Sequence, residues 1–130
     1  MKFITLSGKS ICCDLDIDHY KFRCDSTSKS KIQKDLGLQL IQKYPNDTVL
    51  QDFPIPGMNG LHLDFYIPSR SLAYECNGQQ HYKFVRRFHG TLKGFINQKE
   101  RDDIKRRWCL ANGIVLETVR FDGLEEYNND

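Results

Sequence analysis

The stretch that decides the fold covers residues 61–81 and reads LHLDFYIPSRSLAYECNGQQH. Apolar and polar residues alternate on both sides of a turn at Pro68–Arg70, and this period of two is typical of half-buried β-strands. The stretch predicts an antiparallel hairpin that ends at Gly78. Its apolar face should carry Leu61, Leu63, Phe65, Ile67, Leu72, Tyr74 and Cys76, and its other face His62, Asp64, Tyr66, Ala73, Glu75 and Asn77.

Two acidic residues, Asp64 and Glu75, should oppose each other across this hairpin. A two-residue turn at Ser69 and Arg70 fixes a register in which the two positions are direct cross-strand neighbours. Like charges at such positions are destabilising, so either one acid has a raised pKa or a divalent cation lies between them. Two hard oxygen ligands at this spacing suit Mg²⁺ or Mn²⁺. In the alternative register, both acids are solvated at a sheet edge.

The segments on either side of the hairpin complete an α/β fold. Their order predicts an αβββαβ core, with a mixed central sheet flanked by helices, after a short N-terminal β extension. At this length the chain should form a single domain, with the extension over 1–26, the core over 27–121 and an acidic tail over 122–130. The predicted elements are strands at 2–6 and 11–15, a helix capped by Ser28 or Ser30 that ends near Tyr44, a strand at 48–53, a helix at 97–111 and a strand at 114–121.

Composition and cysteine usage indicate an intracellular protein. The sequence has no apolar run long enough to span a membrane, and its apolar start is too short for a signal peptide. Its five cysteines are an odd number without a CxxC pair, which favours unpaired, mostly buried thiols in a reducing compartment over a structural metal site. We therefore expect a cytoplasmic protein that does not bind membranes.

Positive charge is concentrated between Lys83 and Arg107. Nine basic residues stand there against three acidic ones, although the whole chain has a net charge of only +2. A one-sided positive field attracts polyanions such as nucleic acids, whereas the alternative interpretation is a solvated helix face without a partner. The basic residues expected to contact phosphates are Arg86, Arg87, Lys93, Lys99 and Arg101.

A histidine follows the second acid after a glycine turn. Gly78 ends the strand and should bring the imidazole of His81 back toward Asp64 and Glu75. An imidazole at that place can act as a general base or as a metal ligand. A structural histidine without a chemical role is the alternative.

The residues from Asp64 to His81 resemble the core of a known nuclease family. Asp64-Phe-Tyr-Ile-Pro68, followed by Glu75-Cys-Asn-Gly78-Gln-Gln-His81, is similar to the pattern of very-short-patch-repair-like and homing-type endonucleases of the PD-(D/E)XK nuclease superfamily. Arg101-Asp102 on the later helix fits the continuation of that pattern, and the similarity covers residues 28–121. The resemblance implies a restriction-endonuclease-like fold and metal-dependent hydrolysis of phosphodiester bonds in DNA.

The resemblance also implies roles for individual residues. Asp64 matches the central metal ligand, Glu75 the second acid and His81 the catalytic histidine, while Asp102 matches a helix acid that orients the histidine or a water. Asn77 stands where the family usually has an aspartate, so it would be a neutral metal ligand, and the first helix lacks the glutamate that several members have. The implied cofactor is Mg²⁺ or Mn²⁺.

These observations predict a metal-dependent DNA endonuclease that nicks DNA or cuts both strands, with a homodimer or a protein partner as a route to double-strand cleavage. The two departures, at Asn77 and in the first helix, favour an alternative from another class. In that alternative, the domain is a nuclease-fold module with a decayed site that binds nucleic acid or a protein without cutting. RNA stays an alternative substrate because nothing in the sequence indicates how a 2′-hydroxyl would be read.

Overall fold

The computed structural model describes residues 1–58, 60–78 and 92–121. None of the helices in these ranges is both long enough and apolar enough to cross a membrane. The elements are β1 (Lys2–Ile4), β2 (Ser10–Cys12), α1 (Ile17–Tyr20), α2 (Lys31–Lys43), β3 (Leu50–Pro54), β4 (His62–Ile67), a 3₁₀ turn (Pro68–Arg70), β5 (Leu72–Gly78), α3 (Leu92–Ala111) and β6 (Val115–Phe121).

The strands form two sheets. Strands β1 and β2 make an antiparallel hairpin, and the other four form a sheet in the order β3-β4-β5-β6. Strands β3, β4 and β5 pair antiparallel, whereas β5 and β6 pair parallel because α3 connects them as a crossover. The predicted mixed α/β sheet with flanking helices and an N-terminal β extension is therefore confirmed. The short helix α1 was not predicted.

Helix α2 begins and ends where its sequence signals indicate. The side chain of Ser30 accepts a hydrogen bond from the backbone N–H of Gln33, so Ser30 and not Ser28 is the N-cap. Leu36 and Leu40 are buried on one face of the helix. Gly37 lies between them, and a Cβ there would meet the Phe22 ring at 2.5 Å, so only glycine allows this close approach.

The sheet separates two groups of buried side chains. Leu36 and Leu40 of α2 pack with Phe65 and Ile67 of β4. Trp108 of α3 belongs to the other group, whose further members include Phe53, Tyr66, Ala73 and Cys109. Neighbouring residues of β4 and β5 thus point to opposite sides of the sheet over residues 65–67 and 72–76, as the alternation predicts.

The alternation fails at the start of β4. Leu61 and Leu63 pack with Trp108 and not with Phe65, so the prediction that all four apolar residues of this strand share one face is wrong. The physical reason lies in β3, where Asp52 has φ 52° and the pairing with β4 passes from Gln51↔Phe65 to Phe53↔Leu63. A left-handed residue inside a strand changes the direction in which the next side chains point. The break lies at the level of Asp64.

The N-terminal hairpin is attached to the end of α3 by one side-chain amide. The backbone N–H of Ile4 donates to Asn112 Oδ1 at 2.6 Å, and Asn112 Nδ2 donates to the Ile4 carbonyl at 2.9 Å. Asn112 therefore pairs with β1 as another strand would. Gly113 follows with φ 66°, which ends the helix as its position after Asn112 predicts.

Candidate active site

The two predicted site acids face each other at one end of the β4–β5 hairpin. The pairs Phe65↔Tyr74 and Ile67↔Leu72 establish the predicted register, and one further step along it places Asp64 across from Glu75. The predicted two-residue turn is wrong, because the connection is a 3₁₀ turn followed by Ser71 at φ 47°. Proline at the start of the turn favours this compact conformation. The longer connection keeps the same register.

The two carboxylates replace the hydrogen bonds of the strand ladder at this level. The backbone N–H of Asp64 donates to Glu75 Oε2 at 2.7 Å, and the backbone N–H of Cys76 donates to Asp64 Oδ2 at 2.8 Å. Each acid thus accepts from the backbone of the opposite strand. Hydrogen bonds to an ionised acceptor are stronger than neutral ones, so they hold both side chains in place.

A lysine from α3 completes the group. Lys105 Nζ lies 2.7 Å from Glu75 Oε1, and the side chains are only 17% and 6% exposed, respectively. The opposed acids predict a raised pKa or a divalent cation between them, and the structure adds an internal cation, which was not predicted. A signal for Lys105 exists, because it precedes the buried Trp108 by three residues and so lies on the same side of the helix.

The electrostatics of Glu75 follow from its burial. Burial, and after it the nearby negative charge of Asp64, raise the pKa of Glu75 to about 7, against the opposing effect of Lys105 and the Asp64 N–H. The raised pKa that the opposed acids predict is therefore present. Both the proton and a positive charge near Glu75 relieve the same repulsion, which makes this end of the hairpin a place where a cation is favoured.

The two thiols near this group are ordinary protonated cysteines. Burial raises the pKa of the Cys76 thiol well above its usual range, and Asp64 and Glu75 raise it further. Burial also raises the pKa of Cys109 to about 12. All five cysteines are unpaired, as predicted, but Cys109 alone is buried, so the prediction that they are mostly buried is wrong. Neither Cys76 nor Cys109 offers a thiolate for metal binding or nucleophilic attack at neutral pH.

A cavity of about 400 Å³ opens beside Glu75, between α3 and β6. Of the predicted site residues, Asp102 and Lys99 line this cavity together with Glu75. The structure adds side chains to the lining that the sequence analysis did not single out, among them Lys105, Arg106 and Thr118. Acidic and basic side chains of α3 thus line the same cavity as Glu75 of β5.

Other predicted phosphate contacts lie elsewhere on α3. Lys93 and Arg101 are exposed and do not line the cavity. Arg106 Nη2 lies 2.6 Å from Asp103 Oδ1, and Arg107 Nε lies 3.0 Å from Asp103 Oδ2, so part of the positive charge is paired within the helix. The basic face is therefore weaker than the count of basic residues indicates.

Several predicted site residues fall where the structure gives no side chain. His81, Arg86 and Arg87 lie outside the described residues. For Asn77 only the backbone is described, in β5 next to Arg120 of β6. Their predicted roles stay predictions.

Asp52 is a third acid at this level of the sheet, on β3. Its carboxylate accepts a hydrogen bond from Gln33 Nε2 at 3.1 Å and lies 3.3 Å from Lys29 Nζ. Gln33, in the first turn of α2, is almost fully buried. Helix α2, the first helix of the predicted core, therefore directs a polar side chain toward Asp52. That side chain is the amide of Gln33 and not a glutamate.

The donor set fits a hard divalent cation better than a softer metal. Over the residues that the structure describes, no three acidic, histidine or cysteine side chains group closely enough to form a complete protein cage for a metal. Mg²⁺ does not need such a cage, because it keeps several waters and is commonly held by one or two carboxylates and substrate phosphates. Asp64 and Glu75 supply those two carboxylates.

Comparisons with known proteins find viral relatives without a described activity. The chain is 44% identical over 68 residues to uncharacterized protein 307L of Invertebrate iridescent virus 6, a match over 50% of this chain and 34% of that protein. Uncharacterized protein 094L of Frog virus 3 (isolate Goorha) is 42% identical over 62 residues, which cover 47% of this chain and 40% of that protein. The chain thus spans well under half the length of these relatives. No protein-family model and no solved structure matches the chain.

Proposed function

We propose that this protein is a metal-dependent endonuclease that hydrolyses phosphodiester bonds in DNA, built on a restriction-endonuclease-like core. The observation that carries the proposal is the acid pair Asp64–Glu75, locked across the central hairpin and joined by Lys105 beside an open cavity. A structural role alone does not explain why two acids and a lysine lie together at the end of a sheet. Burying such charges costs stability that apolar residues would not cost.

The order of elements supports the finer part of the proposal. The series α2-β3-β4-β5-α3-β6 has the αβββαβ order that the resemblance implies, and both acids lie on the two strands where the resemblance places them. Asp102 lies on the helix after those strands and lines the same cavity as Glu75. Two of the four proposed catalytic residues, Glu75 and Asp102, therefore come from different elements and line one cavity, and the backbone N–H of Asp64 on β4 donates to Glu75.

In the proposed mechanism, Asp64 and Glu75 would hold the metal ion. When bound, Mg²⁺ or Mn²⁺ neutralises charge on the phosphate and makes a nearby water more acidic. Asp64 and Glu75 are suited to this role because their backbone hydrogen bonds fix the carboxylates before the ion arrives, which avoids a cost of ordering them. His81 takes the proton from the attacking water, and Asp102 orients His81.

The substrate strand would pass over the cavity mouth. Lys99 and Arg106 line the cavity, and both can contact phosphates on either side of the cleaved bond. Lys93, Arg101, Arg86 and Arg87 would extend the contact along the strand. Because such contacts read the backbone only, we propose cleavage with little sequence preference from this part of the protein.

A cleavage assay with matched variants tests the proposal. Wild-type protein should convert supercoiled plasmid to nicked or linear DNA with Mn²⁺ and not with EDTA. Asp64→Asn and Glu75→Gln should reduce the rate by about 100-fold or more, because each removes a charged metal ligand with little change of shape. Asp47→Asn is the control, since it changes an acid that Ser69 and Arg70 hold at the turn end of the hairpin and that does not line the cavity. Equal rates for all three variants would contradict the proposal.

One observation favours a second function, a nuclease-fold module that binds nucleic acid or a protein without cutting. Glu75 already has a positive partner in Lys105, so one of the two acids has a counterion without a metal ion. Binding of labelled DNA in EDTA, without cleavage of that DNA or of RNA in Mn²⁺, would favour this function. The same assay with single-stranded DNA and RNA determines which nucleic acid is the substrate.

A further inference from the structure

One of the two carboxylate oxygens of Glu75 is occupied by a side chain of the protein itself. Glu75 has two carboxylate oxygens, of which Oε2 accepts the Asp64 N–H at 2.7 Å and Oε1 accepts from Lys105 Nζ at 2.7 Å. The backbone N–H cannot leave without opening the hairpin. Oε1 is therefore the oxygen on which an incoming metal ion and the Lys105 ammonium meet.

The ammonium of Lys105 is placed so that it can leave. Its side chain is 17% exposed and lines the same cavity as Lys99 and Arg106, whereas Glu75 is 6% exposed and is held by the strand. A lysine side chain has four rotatable bonds, so its ammonium can move into solvent while its aliphatic part stays packed against the protein. The mobile member of the pair is thus the cation, and the fixed member is the acid.

We propose that Lys105 is an internal counterion that occupies the metal position on Glu75 in the metal-free protein and must withdraw into the cavity when a divalent ion binds. This inference rests on the proposed function, because it assumes that Glu75 is a metal ligand. It makes Lys105 a positioning residue with two effects. It holds the Glu75 carboxylate in place before the metal arrives, and it weakens metal binding by repelling a second positive charge on the same oxygen.

Binding of Mn²⁺ in the absence of nucleic acid tests the inference. The affinity is measured by isothermal titration calorimetry at about pH 8 for wild type, Lys105→Met and Lys105→Arg. Lys105→Met should bind Mn²⁺ about tenfold more tightly than wild type, which corresponds to about 1.4 kcal/mol, whereas Lys105→Arg keeps the charge and should bind as wild type does. Should Lys105→Met not fold, Lys105→Gln removes the charge and still can donate to Glu75 Oε1.

Two controls locate the effect. Arg107→Met removes one positive charge from the same helix at a position that pairs with Asp103, and it should leave the Mn²⁺ affinity within about twofold of wild type because exposed charges are screened. Adding Glu75→Gln to Lys105→Met should remove the tighter binding. If the gain survives Glu75→Gln, the additional ion does not bind at Glu75 and the inference is wrong.

The outcomes separate the inference from the proposed function. If wild type binds Mn²⁺ and Lys105→Met binds it equally or less tightly, the inference fails and the metal site of the proposed function stands. If only Lys105→Met binds Mn²⁺, the inference is supported in its strongest form, with Lys105 blocking the site. If neither protein binds Mn²⁺, the metal site itself is wrong and both proposals fail.

Discussion

The two ends of the β4–β5 hairpin each carry an acid and a cation at nearly the same distance, yet the two acids respond in opposite ways. At the turn, Arg70 Nε lies 2.8 Å from Asp47 Oδ2; at the other end, Lys105 Nζ lies 2.7 Å from Glu75 Oε1. Hydrogen bonds from Ser69 and Arg70 hold the pKa of Asp47 below its usual value, whereas burial raises the pKa of Glu75 to about 7.

The difference shows that distance alone does not decide what an ion pair does. Asp47 is partly open to water, and its partner Arg70 is 52% exposed, so the cation adds a favourable charge at little desolvation cost. Glu75 is buried and has Asp64 beside it. Lys105 therefore offsets the cost of burying the Glu75 charge and its repulsion from Asp64, and the pair adds no net stability. The exposed pair Arg70–Asp47 fixes the turn to the loop before β3, whereas the buried pair Lys105–Glu75 holds a charged side chain at the candidate site.

The largest expected effect is on stability when a cation is removed. In EDTA at about pH 8, Lys105→Met should lower the free energy of unfolding by about 3 kcal/mol, because it leaves Glu75 buried without a positive partner. Arg70→Met should change it much less, since Asp47 keeps its hydrogen bond from Ser69 and its contact with water. Urea denaturation followed by circular dichroism measures both. A similar loss for the two variants would show that burial does not separate the pairs.

A second prediction concerns pH. The folded protein binds a proton on Glu75 up to about pH 7, whereas a glutamate in the unfolded chain releases it near its ordinary pKa of 4.5. This group therefore stabilises the fold at low pH and loses that stabilisation as pH rises through about 7. Between about pH 5 and about pH 8, the stability of Glu75→Gln relative to wild type should therefore rise by about 2–3 kcal/mol.

The matched control for the pH experiment is Asp47→Asn. The lowered pKa of Asp47 means that its carboxylate is ionised in both the folded and the unfolded protein over this range, so its contribution is lost only in acid. The stability of this variant relative to wild type should stay constant between about pH 5 and about pH 8. Thermal melts in EDTA at several pH values give both curves. A flat curve for Glu75→Gln would mean that its folded pKa is not raised.

The smallest effect is expected from salt. The coupling between Arg70 and Asp47, measured by a double-mutant cycle, should fall between about 0.1 M and about 1 M NaCl because exposed charges are screened over that range. The coupling between Lys105 and Glu75 should change little, since solvent ions have less access to it. If salt weakens both couplings equally, the Lys105 pair is open to solvent in solution and the comparison between the two ends loses its basis.

Much of the scaffold of the site can be predicted from local patterns. Alternation over residues 65–67 and 72–76 predicts which side chains face which side of the sheet, and the register that opposes Asp64 to Glu75 follows from the position of the turn. The turn itself was predicted with the wrong conformation. The predicted register is nevertheless correct, because it depends on which face of the sheet many side chains occupy and not on the conformation of one turn.

The local pattern also fails where a neighbouring strand interferes. Leu63 lies on the face of the sheet opposite to the predicted one, because Asp52 on β3 takes a left-handed conformation. The periodicity within residues 61–67 contains no information about the conformation of Asp52. Asp52 in turn is held by Gln33 of α2. A contact between α2 and β3 thus changes the direction of side chains at the start of β4.

The sequence by itself determined the order of the elements, the hairpin register, the free cysteines and the opposition of two acids. Each of these depends on residue types at short, regular spacing, which fixes the direction of side chains along one strand or helix. Only the tertiary structure decided that Lys105 is the cation that Glu75 meets, although the two residues are 30 positions apart. The packing of α3 against the sheet selects this one lysine among several on the helix, and burial then determines the pKa of Glu75, because desolvation depends on everything that surrounds a charge.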